Sequence, residues 1–353
     1  KTITTGTLLD GGGLLTISGG GTHGVFAVDP GVLFVVAGMT ITDGATAGSG
    51  GAVSGGNGSL IVVDSGSSIV NNTADGCGGG LYTLAGGLVF VIDSDVSGNS
   101  ADNGGGICSL RSQVIVTSFS TVYDNTATTN VGGIYANSEV ASVSVGAGSA
   151  VTGNTATTGG GIWARSSVRV YLRLSEVTDN TASGAGGGIH SEFGGGDGVT
   201  IEDSVISGNT SGVEGGGINA IFRSPVTVTG STISGNSTAL GGGGINARDT
   251  SIAVTDSFVA NNSADFGGGT VSLGVGGTTS ITDSVFSGNA ARIGGGAAVY
   301  DESLAVTGST FTGNIASDGG GAINSSVATT TVEDSTLTGN TAQAGGGIAA
   351  VDS

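Results

Sequence analysis

One asparagine recurs along most of the chain at a nearly constant interval of 25 to 29 residues. Around it, a serine usually stands five residues before, a large apolar residue three before, and a glycine cluster with an aliphatic residue follows. A period of this length indicates one supersecondary unit stacked many times. The repeated asparagines are Asn72, Asn99, Asn125, Asn154, Asn180, Asn209, Asn236, Asn262, Asn289, Asn314 and Asn340.

Within a repeat, apolar and polar residues alternate, as they do from Val168 to Leu174. This alternation predicts short β-strands with one buried face. A propeller blade needs roughly 40 residues, and a leucine-rich repeat has regular leucine spacing, so a repeat of about 27 residues favours one coil of a parallel β-helix. The 74 glycines and 2 prolines exclude a helical bundle and, without a three-residue period, collagen.

We therefore predict an all-β chain that forms a single parallel β-helix of about 13 coils. Residues 1–353 are expected to be one continuous domain, with divergent opening coils in 1–55 and regular coils in 56–353. Equivalent residues of successive coils would lie ~4.8 Å apart and form ladders. The asparagines are expected to be turn residues with left-handed backbone that hydrogen-bond to the next coil, and the glycines to occupy a tight corner.

The residues that carry this pattern also carry a resemblance. The opening segment 8–44 and the later Ser-x-Val/Ile-x-Gly-Asn-Thr-Ala repeats resemble bacterial surface or secreted right-handed parallel β-helix proteins with a pectin-lyase-like fold. The segments Gly320–Ile323 and Phe286–Asn289 are similar to the motifs of chlamydial polymorphic outer-membrane protein passengers. The resemblance implies a right-handed coil, a cell-surface or extracellular location, and an adhesive or structural role without fixed catalytic residues.

The balance of charges restricts the partners. The chain has 8 Lys and Arg against 27 Asp and Glu, a net charge of −19, which repels phosphate backbones and argues against a nucleic-acid partner. No apolar run approaches the ~20 residues of a transmembrane helix. Two opposite-charge pairs occupy equivalent positions of adjacent repeats and are predicted to be ion pairs: Arg173 with Glu202, and Asp265 with Arg292.

A series of residues directly follows the aliphatic residue after each glycine cluster. Because the aliphatic residue is expected to point inward, its successor is expected to point outward. Such an aromatic stripe would stack on sugar rings or a partner protein, and the alternative is that the rings stack only on one another. The residues proposed for the stripe are Tyr82, Tyr135, Trp163 and His190.

Two pairs of aspartates occupy equivalent positions of neighbouring coils, Asp75 with Asp102 and Asp256 with Asp283. Carboxylates so close repel each other unless they lean into water or hold a cation. No known calcium-loop motif surrounds them, so solvated aspartates are favoured over a Ca²⁺ site, and no cofactor is expected. The two cysteines, Cys77 and Cys108, have different offsets from their asparagines, which argues against a disulfide.

The sequence also contains glycosylation sequons, which are a weak signal because several belong to the repeated turn. They are Asn57, Asn71, Asn209, Asn236, Asn261 and Asn324. At the two ends of the chain, strand-like residues would leave unpaired edges that invite self-association end to end. The residues of these ends are Lys1, Ile3, Val351 and Ser353.

The function favoured by the sequence is a non-enzymatic, extracellular structural or adhesive protein that stacks into a filament. The alternative is a β-helix that binds or degrades polysaccharides, with surface glycans as partners. Few basic residues are available beside the acids, which argues against lyase chemistry that needs a grouped acid and base.

Overall fold

The computed structural model describes residues 1–138, 141–193, 198–274 and 276–351. These residues form strands, turns and bends without an α-helix, arranged as a parallel β-solenoid of about 13 turns that repeat about every 27 residues. The predicted all-β parallel β-helix is confirmed. The chain divides into two compact units, Lys1–Thr181 and Ala182–Ser353, and the prediction that both belong to one continuous helix stays a prediction.

In the first unit the coils contribute strands to three parallel sheets, which we call A, B and C, and each coil after the first has strands in all three. The strands of sheet A are Thr2–Ile3, Phe26–Val28, Val53–Asn57, Leu81–Leu84, Ile107–Leu110, Ile134–Asn137 and Ile162–Arg165. Those of sheet B are Thr7–Ser18, Leu33–Thr42, Leu60–Asp64, Ser68–Val70, Leu88–Ile92, Asp95–Ser97, Gln113–Thr117, Thr121–Tyr123, Ser142–Gly146, Ala150–Thr152, Arg169–Arg173 and Glu176–Thr178. Those of sheet C are Ala45–Thr46, Thr73–Cys77, Ser100–Asn103, Thr126–Asn130 and Thr155–Ala156, and Thr181–Ala182 falls at the unit boundary.

The second unit repeats this arrangement. Its strands of sheet A are Ile189–Glu192, Ile218–Ile221, Ile245–Arg248, Thr270–Leu273, Ala297–Tyr300, Ile323–Ser326 and Ile348–Val351. Those of sheet B are Val199–Glu202, Val205–Ser207, Val226–Thr229, Thr232–Ser234, Ile252–Thr255, Phe258–Ala260, Thr278–Thr282, Val285–Ser287, Ser303–Thr307, Thr310–Thr312, Thr329–Glu333 and Thr336–Thr338. The third side has Thr210–Ser211 and Ser237–Thr238, followed by the pair Ala290–Ile293 and Ile315–Gly319.

The core is built from the inward residues of these strands. In the strand Leu88–Ile92, Val89 and Val91 are fully buried, whereas their neighbours in the strand keep part of their surface in water. The adjacent strand Gln113–Thr117 pairs in register, so Val114 lies beside Val89. The alternation read from the sequence therefore places one aliphatic column above another in the core.

The asparagine ladder lies at the turn between sheets B and C. The Oδ1 atom of Asn99 accepts hydrogen bonds from the backbone N–H and the Nδ2 atom of Asn72, each 2.9 Å long. In turn, Nδ2 of Asn99 donates to Oδ1 of Asn125 at 3.0 Å. The predicted hydrogen bonds to the next coil are confirmed.

The prediction of a left-handed backbone at the ladder asparagines is wrong. The residue just before each asparagine has the positive φ instead, as at Asn71 with φ 57° and Gly98 with φ 60°. This division has a physical reason, since the preceding residue makes the corner while the ladder asparagine must direct its amide along the stack. A second ladder, of serines, stabilises the other turn of sheet B, where the N–H of Ser94 donates to Oγ of Ser120 at 3.2 Å.

Candidate functional site

The outward side of sheet A is covered by the chain itself. From the last residue of a sheet C strand to the end of the glycine cluster, the chain folds back over this side; we call this stretch, for example Cys77–Gly80, the covering segment. Gly78 has φ 71°, and a Cβ there would lie 3.2 Å from the Cβ of Tyr82. Glycine thus allows a close approach that other residues would prevent.

The expectation of an exposed aromatic stripe is therefore wrong. Tyr135 and Trp163 are each 7% exposed, His190 is 4% exposed, and Tyr82 is half-buried. These side chains do point away from the solenoid core, as the strand alternation requires. They nevertheless lie beneath the covering segment, so their faces do not form an open platform for sugar rings.

In the first unit the buried stripe forms a second hydrophobic cluster. Tyr135 and Trp163 lie with ring centroids 5.4 Å apart. Cys77, Cys108 and Val131 pack with them, and Tyr82 borders the cluster. Burial raises the pKa of the Tyr82 hydroxyl, because the charged phenolate would lose its hydration.

A disulfide joins Cys77 to Cys108, with a Cα–Cα distance of 5.6 Å. The expectation that their different offsets prevent a disulfide is wrong. Cys77 lies in the covering segment, whereas Cys108 lies on the outward side of sheet A beside Tyr82. The covering segment carries Cys77 back over this side, so that it lies next to the sheet A residue of the following coil.

In the second unit the first three strands of sheet A have the polar outward residues His190, Asn219 and Asn246, whereas the next two have Val271 and Ala298 at this position. Nδ1 of His190 and Nδ2 of Asn219 are 2.8 Å apart, and Nδ2 of Asn246 donates to Oδ1 of Asn219 at 2.6 Å. Beside this row, Nε2 of His190 lies 3.8 Å from Oε2 of Glu192. Among the described residues, the buried Oδ1 atom of Asn246 has no hydrogen-bond partner.

An ion pair between Arg248 and Glu214 borders the polar row. Glu214 comes from the covering segment and Arg248 from the end of the strand that holds Asn246. Sequence reasoning missed this pair because the two residues have different offsets in their repeats. The position of Glu214 directly before a glycine cluster is the signal that could have identified it.

The predicted pair of Asp265 and Arg292 is confirmed. Nε of Arg292 contacts Oδ1 of Asp265 at 2.9 Å, and Nη1 contacts Oδ2 of Asp318 at 3.0 Å. The hydrogen bond to Asp265, and then that to Asp318, raises the pKa of the guanidinium. The guanidinium also lies 4.5 Å from the ring centroid of Phe266. The pairing of Arg173 with Glu202 stays a prediction.

The two aspartate pairs have different surroundings. Asp75 and Asp102 are exposed and line a shallow cavity of about 320 Å³ together with Thr128, whose Oγ1 donates to Oδ1 of Asp102 at 2.6 Å. Asp256 and Asp283 are left-handed turn residues, with φ 48° and 46°. Across the described ranges, no three His, Cys, Asp or Glu residues are grouped to hold a metal.

The sequon asparagines fall into two groups. Asn209 and Asn236 are fully buried in the ladder, and Asn324 is 6% exposed, so their amides are inaccessible in the folded chain. The exposed members are Asn57, Asn71 and Asn261.

The residues proposed for the chain ends also differ in their exposure to solvent. Ile3 is 5% exposed and Val351 is 54% exposed. The amino group of Lys1 donates to the carbonyl of Val25 at 2.6 Å. Ser353 lies outside the described residues.

Two family models match parts of the chain. Residues 146–311 match the right handed beta helix region, and residues 308–326 match the Chlamydia polymorphic membrane protein repeat. The second match includes Gly320–Ile323, one of the motifs on which the resemblance depends, and the resemblance is confirmed. No curated protein and no solved structure matches the chain. None of the described residues forms a helix able to cross a membrane.

The fold and these matches together describe a β-helix protein of the surface type.

Proposed function

We propose that this chain is a non-enzymatic structural or adhesive protein that acts at the cell surface or outside the cell. The observation that carries the proposal is the disulfide between Cys77 and Cys108. Disulfides persist in oxidising environments and are rare in reducing cytosol. The match to a polymorphic membrane protein repeat supports the same location, and the role requires no cofactor.

The location is tested on protein isolated from its native source under rapid alkylation of free thiols. Mass spectrometry should find Cys77 and Cys108 unalkylated and linked to each other. Surface proteolysis of intact cells should also release fragments of the chain. Alkylated cysteines in freshly isolated protein, together with protection from the protease, would overturn the proposal.

Within this role we propose that copies associate end to end. The apolar residues Ile348 and Val351 of the strand Ile348–Val351 are 39% and 54% exposed. A strand with exposed apolar side chains favours the addition of another strand. Electron microscopy of the purified chain should show linear assemblies that lengthen with concentration, whereas single particles at high concentration would exclude them.

A second candidate function is binding or cleavage of polysaccharides. The observation that favours it is the polar row of His190, Asn219 and Asn246 on the outward side of sheet A, which Arg248 and Glu214 border. A glycan array and an assay for released sugars test this candidate. Loss of glycan binding or sugar release in Glu214→Gln, but not in the exposed control Glu333→Gln, would support it, and a parent chain inactive in both assays would exclude it.

A further inference from the structure

The outward side of sheet B in the first unit is unusually apolar. In the strand Leu88–Ile92, all three outward residues are apolar and keep part of their surface in water. Neighbouring strands continue this surface, and Leu8 and Leu33 are 62% and 42% exposed. We call this surface the apolar face; its residues are Leu8, Leu33, Val35, Leu60, Val62, Leu88, Phe90, Ile92 and Ile115.

The pairing of the strands aligns these residues in columns. The central column follows the register from Val35 to Val62, Phe90 and Ile115. In the second unit the corresponding column contains only small or hydroxyl residues, which are Thr200, Thr227, Ala253, Ser280, Ala305 and Thr331. A sheet surface in contact with water is ordinarily polar, so a contiguous apolar surface indicates a partner.

Opposite charges stand at the two ends of the apolar face. Asp10 is on the strand three places before Leu88–Ile92, and Arg173 is on the strand three places after it. Both belong to the column that contains Ile92. Asp64 lies in the same column, one strand before Ile92, and the strand Ser142–Gly146 before Arg173 has the outward residues Ser142 and Ser144. The surface is therefore acidic at one end, apolar around Phe90, and polar and then basic at the other end.

We propose that the apolar face binds the apolar face of a second copy of this chain. We place a two-fold axis between the two copies, parallel to the strands and passing over Phe90. Rotation about this axis places Phe90 against the partner's Phe90. The same rotation places Val62 against the partner's Ile115 and Asp10 against the partner's Arg173. The rotation thus pairs apolar residues at Phe90, Val62 and Ile115 and opposite charges at Asp10 and Arg173, whereas Leu33 and Val35 face the partner's Ser142 and Ser144. An isologous interface has this two-fold pairing of one surface with itself.

The dimensions agree with such an interface. Seven strands ~4.8 Å apart with three outward residues each cover about 500 Å² per copy, or roughly 1,000 Å² in all, which is the lower limit for specific association. Two sheets packed with aligned strands, about 10 Å apart, are a common arrangement. This lateral contact is independent of the end-to-end association proposed above, because it uses none of the terminal strand edges.

Sedimentation equilibrium of the chain tests the proposal. We expect a dimer of twice the 33.3 kDa chain that dissociates on dilution. Phe90→Asp places two carboxylates against each other at the axis and should raise the dissociation constant at least 100-fold. The matched control is Thr227→Asp, at the equivalent outward position of the second unit, and it should leave dimerisation unchanged.

A charge exchange tests the proposed orientation. Asp10→Arg and Arg173→Asp should each weaken the dimer about 5-fold to 10-fold, and the double variant should restore it. The circular dichroism of each variant must remain that of the parent, which separates loss of association from loss of folding. A chain that is monomeric at all concentrations overturns the proposal, and so do assemblies that persist in Phe90→Asp, which would instead belong to the chain ends.

Discussion

Cys77 lies five residues after its ladder asparagine, whereas Cys108, to which it is bonded, lies nine residues after the next one. The two half-cystines are therefore not equivalent members of a ladder. One belongs to the covering segment of a coil and the other to sheet A of the following coil. The disulfide fixes the covering segment over the aromatic cluster and links two coils that are otherwise held by hydrogen bonds and packing.

The double variant Cys77→Ser, Cys108→Ser should lower the free energy of unfolding by about 3 to 4 kcal/mol, because the bond closes a loop between residues 31 apart and restricts the unfolded chain. Urea unfolding with and without dithiothreitol provides the measurement. The reductant should destabilise the parent and have no effect on the double variant. Equal midpoints for the parent under both conditions would contradict this prediction.

Trp163 is the single tryptophan of the chain and lies buried beside Tyr135. Its emission should be blue-shifted and resist quenching by acrylamide in the native chain, and shift to the red on unfolding. Trp163→Ala should cost about 3 to 5 kcal/mol of stability. The control Phe119→Ala, at a residue 77% exposed, should cost less than about 0.5 kcal/mol. Native emission like that of free tryptophan would exclude the buried position.

The strands and the asparagine ladder follow from the sequence because each depends on local alternation and on one fixed offset. The inward position of Val89 and the hydrogen bond from Asn72 to Asn99 are both consequences of this periodicity. The burial of Trp163 is different. Alternation states which side of the strand a residue occupies, but it contains no information about whether water or another segment lies on that side.

The ion pair of Arg248 and Glu214 also could not be predicted from the repeat pattern. Residues at equal distances in sequence from successive ladder asparagines lie side by side, and this rule identified the pair of Asp265 and Arg292. It cannot identify contacts between the covering segment and sheet A, where unequal offsets meet. The path of the covering segment depends on positive-φ corners such as Gly215, and their direction is a property of three-dimensional packing.

Asp283 is expected to be a turn residue and not a metal ligand. Glycine adopts its φ of 46° easily, and glycine occupies the equivalent position at Gly230 and Gly308. Asp283→Gly should therefore change stability by less than about 1 kcal/mol, whereas Asp283→Val should cost more because a β-branched residue resists this backbone. Thermal unfolding provides the measurement. A rise in melting temperature with added CaCl₂ that is absent in Asp283→Gly would instead establish a calcium site.

Substitution of an asparagine should lower the free energy of unfolding most in the interior of the ladder. Oδ1 of Asn262 accepts from the N–H and Nδ2 of Asn236, and its Nδ2 donates to Asn289. Asn262→Ala leaves several buried groups without partners and should cost about 2 to 5 kcal/mol. Asn340→Ala, at the more exposed last step of the same ladder, should cost less, since water can replace part of the lost bonding. Equal losses for both variants in urea unfolding would contradict this account.

Glu302 is expected to make the stability of the second unit depend on pH. The residue is 5% exposed, its Oε2 accepts from Oγ of Ser272, and its buried Oε1 has no hydrogen-bond partner among the described residues. Burial, opposed by the Ser272 hydrogen bond and reinforced by the charge of Asp249, raises the pKa of this carboxyl in the folded chain.

Because the folded chain holds this proton more tightly than the unfolded chain, the stabilising contribution of Glu302 is complete below the unfolded pKa of about 4.3 and is lost as pH rises toward the folded value. Glu302→Gln removes this titration. The melting temperature of the variant relative to the parent should therefore increase between pH 4 and pH 8. Glu333→Gln, on an exposed carboxylate, controls for the general change in charge and should show no such trend. A pH-independent difference between parent and Glu302→Gln would show that the carboxyl keeps an ordinary pKa in the folded chain.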